Sequence, residues 1–480
     1  MPKSAYLIHV LVAFYLLAGS AMILTPQWVV AAKSQLLSRV KDSRPATPET
    51  HRDQLRQTRI SGLVQLGIML VLVFGMNLSY GLRPTGDRDS AVLGPSASEL
   101  QRRVAEHLQP QVTRGRYPSL VAAGIVGEEH FFVGLGSIDP RSLTPPTADT
   151  LYEIGSVSKV FTGLLLARGV ESGNLSLNQE VGTILPRAAM AQPLAPGIQL
   201  GSLVTHTSGL SRSPPCAGWA KRAWAGFRGG NPYSACDTKT LIAGLPAAGC
   251  SARSGQGAAA DTPIACSFEY SNYGFALLGL ALATHAGTDF DSLVREQIGG
   301  PLGMSSTGTR LSPAERARLI PGHANHIGLG PFYGAQRAAP WTFPDAFAGA
   351  GGLRSSAADM LRFLKAASGR APADLLPAIQ RSQTVLYRES KDDHAGQDNA
   401  TDTETIAVGM AWFEKRLPGS EDLMLFHNGL TGGHAAYIGL LRDQPVGVAI
   451  LANASSDLTD VGEALLSLLH ARADTILRKK

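Results

Sequence analysis

Ser156 and Lys159 stand three residues apart in Gly155-Ser156-Val157-Ser158-Lys159, between a strand-like run, Leu151 to Ile154, and an apolar helical segment. Positions i and i+3 share one face of a helix, so the lysine amine can reach the serine hydroxyl. A helix N-terminus also lends positive potential and free backbone N–H groups at that place. A neutral lysine can take the serine proton, provided burial or a second cation depresses its pKa. By itself S-x-x-K says little, because roughly one match arises by chance in a chain this long and a capping serine beside a surface lysine reads the same. A second group, Tyr270-Ser271-Asn272, lies in a polar turn immediately ahead of another apolar helix. Its phenol can transfer a proton, and its amide can hold a substrate carbonyl or the lysine; a packed tyrosine next to a helix cap is the plainer reading. A third group, His427-Asn428-Gly429, ends the strand-like Leu423 to Phe426. Glycine there lets a substrate lie against the strand edge, and a backbone N–H just beyond it can complete an oxyanion hole. The chemistry these parts suit is acyl transfer through a serine.

The elements that must carry them are legible as periodicities. Ser96 opens an amphipathic helix, SASELQRRVAEHL, with Leu100, Val104 and Leu108 spaced four apart. Leu120 to Val126 and His130 to Leu135 form a hairpin across Gly127-Glu128-Glu129. Helices follow at 158–172 and 273–286. Thr405 to Phe413, Leu423 to His427, His434 to Leu441 and Val446 to Leu451 read as antiparallel strands, and Thr459 to Leu477 as a last helix. Terminal helices against one antiparallel sheet, with a mostly helical middle, make an α+β domain over residues 96–480. Residues 387–405 read as a polar surface loop without a role. His323 and His326 lack a carboxylate or cysteine partner at metal-binding spacing, and neither a metal nor an organic cofactor is expected.

The three groups, in this order and rough spacing, resemble the serine β-lactamase and penicillin-binding-protein superfamily, in particular its class C β-lactamase-like branch of DD-peptidases, D-aminopeptidases and esterases. S-x-x-K is matched by Ser156 and Lys159, Y-x-N by Tyr270 and Asn272, and the third-strand K/H-x-G by His427 and Gly429. SLVTHTSGL (202–210), the PLGM turn (301–304) and GGLRSSAADMLRFL (351–364) look like the same branch, so the likeness covers about residues 98–475. It implies a β-lactamase/DD-peptidase-like fold. It also implies that Ser156 is acylated, that Lys159 and Tyr270 share the acid and base duties, and that Asn272 orients the substrate amide. His427 would offer positive or hydrogen-bonding character to a substrate carboxylate, and the N–H groups of Ser156 and Leu430 would form the oxyanion hole. Class C β-lactamases usually carry lysine where this chain has His427. That tilts the expectation to a peptidase or carboxypeptidase acting on D-amino-acid peptides, with peptidoglycan stems as substrate. A β-lactamase or an ester hydrolase is the alternative, and a catalytically silent penicillin-binding sensor or scaffold is the reading of another class.

Composition places this domain outside a membrane. Of the 480 residues 44% are hydrophobic and only 17% charged, which excludes a disordered chain or a coiled coil. Residues 1–32 and 60–82 contain long uncharged apolar runs, each enough to cross a bilayer. Between them, Lys33 to Arg59 holds seven basic residues and three acidic ones; with Lys3 this accounts for the whole net charge of +5. The remainder is neutral, and a nucleic-acid partner is not expected. Two spans with a basic cytoplasmic loop at 33–59 obey the positive-inside rule. A linker at 83–95 then leads to a periplasmic or equivalent catalytic domain; a cleaved signal peptide is the competing reading of the first span. Cys216, Cys236, Cys250 and Cys266 all fall in the window 211–266, which is longer than expected between these motifs. In an exported domain they read as two disulfides. Three pairings exist; Cys216 with Cys236 and Cys250 with Cys266 is the expectation here, because both would close short loops within a flexible segment.

Overall fold

The computed structural model describes residues 97–138, 144–185, 197–218, 230–245, 266–324, 336–390 and 405–477. Both expected spans, the basic loop and the linker lie outside them, as do Cys250 and His326. Among the described residues no helix is long and apolar enough to cross a membrane.

Helix α1 (Glu99–Thr113) is opened by Ser98 rather than Ser96. The Ser98 hydroxyl accepts the Gln101 N–H at 3.1 Å and the Gln101 amide oxygen accepts the Ser98 N–H at 2.9 Å, a reciprocal cap. Leu100, Val104, Leu108 and Val112 extend the four-residue spacing over four turns, all buried. Strands β1 (Ser119–Val126) and β2 (Glu129–Gly136) make the expected hairpin, and β3 (Leu151–Glu153) follows. Helices α2 (Ser158–Glu171) and α3 (Asn272–Ala286) are buried over most of their length. That is why each reads as apolar all round rather than as a stripe. Short strands β4 (Gly322–Ala324), β5 (Gln336–Ala338) and β6 (Arg354–Ser356) intervene, with α4 (Asp345–Gly351) before β6 and α5 (Ala357–Lys365) after it. Strands β7 (Tyr387–Ser390), β8 (Thr405–Val408), β9 (Phe413–Arg416), β10 (Leu423–Leu430), β11 (Ala435–Leu441) and β12 (Val446–Ala452) precede the closing helix α6 (Thr459–Leu477).

Eight strands form one antiparallel sheet in the order β2-β1-β12-β11-β10-β9-β8-β7. Side chains alternate across a strand, and β1 shows the consequence: Leu120, Ala122 and Val126 join α1 and α6, whereas Val121, Ala123 and Ile125 join α2, α3 and α5. The sheet is thus covered on both faces, by the terminal helices on one and the helical middle on the other.

Two expectations are corrected. Thr405 to Phe413 is not one strand, because the chain turns between β8 and β9. Ala411 adopts φ +73° there, and the Gly409 N–H is given to the Trp412 carbonyl at 2.8 Å. The start of the polar stretch 387–405 is the sheet's edge strand β7, paired with β8. Its polar sequence suits an edge, and Arg388 reaches back to the buried carboxylate of Glu414 at 2.6 Å.

Candidate active site

Strand β3 pairs with β6, Glu153 opposite Arg354, and runs straight into a single 3₁₀ turn, Gly155–Val157, that sets Ser156 at the head of α2. The buried Glu153 carboxylate accepts the Trp341 N–H at 2.6 Å and lies 3.7 Å from Arg354 and 3.4 Å from His434. Arg354 in turn donates to the Trp341 carbonyl. This enclosed ionic cluster ties the root of the serine turn to one wall of the site. Opposing it, β10 lies in backbone contact with the same turn. Gly155 has φ +50°, and a Cβ there would sit 2.7 Å from the Leu430 nitrogen; one on Gly429 would sit 2.1 Å from the Ile154 carbonyl oxygen. Only glycine permits both the angle and the approach.

Lys159 is fully buried, and its amine touches three oxygens: Ala350 carbonyl at 2.6 Å, Asn272 Oδ1 at 2.8 Å and Ser156 Oγ at 3.0 Å. Asn272 turns its oxygen to the lysine because its Nδ2 donates to the Tyr233 hydroxyl at 3.1 Å. Burial, with a smaller push from the charge of Arg212, holds the Lys159 pKa well below its ordinary value. A neutral amine has two hydrogens and one lone pair. The carbonyl and amide oxygens can only accept, so they take both hydrogens, and the lone pair is left facing the Ser156 hydroxyl.

Tyr270 directs its hydroxyl at Ser156; burial raises its pKa to about 12, against the opposing pull of that hydrogen bond and of Arg212. Its ring is stacked on His206 at 4.4 Å. His206 is buried and strained, with φ +62°, and its Nδ1 accepts the Ser271 N–H at 3.0 Å. It therefore grips the residue between Tyr270 and Asn272. Such a left-handed non-glycine residue is costly and is found where packing dictates it.

His427 is buried, and its Nδ1 donates to the Asn428 carbonyl at 2.6 Å. Burial first, then Lys159, brings its pKa down to about 3. The positive character considered for it is therefore lost at neutral pH, because burial alone penalises an imidazolium there. It remains a neutral ring beside the site, its Nε2 without a partner among the described residues. Leu430 is exposed and pairs with Ala435, while the next residue, Thr431, donates its N–H to His434. Alternation in an antiparallel ladder then turns the Leu430 N–H away from β11, toward the serine turn. Strand β9 pairs with β10 only as far as Phe426, so 427–430 offers an open backbone edge.

These groups border a cavity of about 590 Å³, within the range of small-ligand sites. Ser156, Tyr270, Asn272, Gly429 and Leu430 line it; Lys159 and His427 lie behind its surface. The lining also includes Arg212, Tyr233, Trp341, Phe343 and Phe413, which the motifs did not single out. Arg212 and Tyr233 do fall in the cysteine window, and that was the available signal. A larger cavity, about 710 Å³, at the C-terminal ends of α2 and α3 contains none of the motif residues. Cys216 and Cys236 are bridged as expected, with Cα atoms 5.4 Å apart. Cys266 is also in a disulfide; the expected pairing with Cys250 falls outside the described residues. Among the described residues no group of side chains could hold a metal ion.

Residues 104–472 match the family model described as Beta-lactamase. Penicillin-binding protein 4 of Amycolatopsis lactamdurans is 28% identical over 331 residues, 67% of this chain and 78% of that protein. The D-alanyl-D-alanine-carboxypeptidase/endopeptidase AmpH of Escherichia coli (strain K12) is 26% identical over 366 residues, 75% of this chain and 84% of that one. Among solved structures, a class C beta-lactamase superposes with a TM-score of 0.59 at 20% identity, covering 78% of this chain and 98% of the other. A beta-lactamase/D-alanine carboxypeptidase from Pseudomonas syringae gives 0.57 at 20% identity, covering 79% and 99%. At that identity the two structures show a shared fold. With the family model spanning most of its length, the chain belongs to the beta-lactamase family of serine hydrolases.

Proposed function

We propose that the protein is a membrane-anchored peptidase that removes a D-amino acid from peptides of the peptidoglycan-stem type through an acyl-enzyme. The observation that carries the chemistry is the buried amine of Lys159, 3.0 Å from Ser156 Oγ with the Ala350 and Asn272 oxygens placed to take its hydrogens; in the neutral form its lone pair is left for the Ser156 proton. Ser156 Oγ attacks the scissile carbonyl as Lys159 takes that proton. The carbonyl oxygen gains negative charge between the N–H groups of Ser156 and Leu430. Tyr270, still protonated at neutral pH, hands a proton to the departing nitrogen and is recharged from Lys159. The C–N bond breaks, the acyl group stays on Ser156, and water releases it by the reverse proton route. The substrate backbone lies along the open edge of β10 at 427–430.

The peptide preference is supported by the neutral His427 in place of a lysine and by the likeness to a D-alanyl-D-alanine-carboxypeptidase/endopeptidase. A β-lactamase or carboxylic ester hydrolase is the second reading, favoured by the likeness to class C enzymes and by the fact that the same groups would open a lactam or an ester. The anchor rests on the apolar runs at 1–32 and 60–82 with the basic loop between them. It puts residues 96–480, and their disulfides, in the periplasm or its equivalent. The full chain in detergent should turn over a D-Ala-D-Ala peptide faster than nitrocefin or a p-nitrophenyl ester. A clear preference for nitrocefin or for the ester would replace the peptidase reading.

A further inference from the structure

A substrate ending in a D-amino acid, like the ring of a penicillin, brings a carboxylate to the leaving-group side of the bond that is cut. With His427 buried and neutral, the cation that should meet it is not at the third motif. Among the described residues lining the cavity only one carries a permanent positive charge, Arg212. Its guanidinium carbon lies 5.1 Å from the centre of the ring of Tyr270, the residue that protonates the leaving group in the reaction proposed above. The side chain is exposed, and none of the described residues offers it a carboxylate.

Its backbone, by contrast, is fastened. The Asn272 N–H donates to the Arg212 carbonyl at 3.0 Å, and the Ser271 hydroxyl donates to the Ser211 carbonyl at 2.9 Å. The residue is thus clamped to the Tyr270–Asn272 turn itself. Four residues on, the Cys216–Cys236 bridge joins this segment to the one carrying Tyr233, which holds Asn272. A fixed backbone with an unsatisfied planar cation at a cavity mouth is an arrangement suited to bidentate carboxylate recognition.

We propose that Arg212 binds the carboxylate of the leaving group and so selects substrates that carry one there. The proposal rests on the acyl-enzyme reading above and names the substrate feature read at that site. It does not depend on the peptidase reading, since esters can test it alone. The test uses two aryl esters that share an acyl group and differ only in the phenol, one bearing a meta carboxylate and the other the carboxamide, with the full chain in detergent. Wild type should favour the carboxylate ester in kcat/KM. Arg212→Gln should reduce that carboxylate/carboxamide ratio about tenfold or more, as expected for losing a charge-assisted contact. Arg212→Lys should restore part of it. A wild type without preference, or a ratio within about twofold of wild type in Arg212→Gln, would overturn the assignment. If wild type cleaves esters but no D-Ala-D-Ala peptide, the peptidase reading fails while the ester ratio still decides Arg212.

Discussion

At the scale of single residues, the site depends on one protonation state. Lys159 can serve as base only when neutral, and its burial already favours that form. The sign follows directly: activity is lost when pH falls through the lowered pKa of Lys159 and gained above it. With a neutral ester, kcat/KM should therefore be on a plateau well below pH 10.5, the ordinary lysine value. It should decline only toward pH 12, as Tyr270 ionises. Lys159→Ala should lose about 10²–10⁴-fold in acylation with an unchanged circular dichroism spectrum. Ser156→Ala should abolish labelling by a fluorescent penicillin. An acid limb centred near 10.5 in wild type would show that the lysine is charged at rest and that another group takes the serine proton.

At the scale of elements, catalysis depends on how closely a strand can approach a turn. The proposed oxyanion hole would draw one N–H from the serine turn and one from β10, and the two backbones meet at Gly155 and Gly429 without a side chain between them. Gly429→Ala would place a methyl 2.1 Å from the Ile154 oxygen. The strand must retreat, because the atom it meets is backbone. Separating the two N–H groups should cost on the order of 10²-fold in the acylation rate, comparable to removing one oxyanion donor. The pairing of β10 with β11 should still hold the sheet together. Rapid-mixing kinetics with a chromogenic ester would measure this. A near-normal acylation rate with normal stability would remove Leu430 from the oxyanion hole. The Cys216–Cys236 bridge acts at the same scale. It closes a loop with a sequence separation of 20, worth about 3 kcal/mol in chain entropy, and ties together the two segments that bring Arg212 and Tyr233 to the cavity.

For the whole molecule, the distribution of charge is the informative quantity. All of the excess positive charge lies at Lys3 and between residues 33 and 59, so the catalytic part has no net charge to steer it. In the proposed topology the same basic stretch would resist translocation. A reporter fused after Lys480 should therefore be active in the periplasm, and one inserted near Thr47 in the cytoplasm. Labelling of the 33–59 loop by an impermeant reagent in intact cells would overturn the two-span arrangement and, with it, the anchored peptidase. An exported catalytic domain is also the setting in which the Cys216–Cys236 bridge would persist.

The sequence by itself determined whatever depends on neighbours along the chain. The three-residue spacing of Ser156 and Lys159 on one helix, the capping turn ahead of α3, the β1–β2 hairpin and the final helix from Thr459 to Leu477 are all local periodicities, and they stand where the pattern put them. Their order along the chain was enough to point to the family. The tertiary structure alone decided the electrostatics. The neutral form of Lys159 is favoured because packing removes water from around it, with a smaller push from the charge of Arg212; desolvation belongs to the finished core. The same cause made His427 neutral, where its residue type had left a positive charge open. Arg212, Tyr233 and His206 escaped assignment to the site for a related reason, since each earns its place by touching Tyr270 or Asn272 across the fold. Strand β7 was missed because an edge strand may be polar, and only its pairing with β8 distinguishes it from a loop.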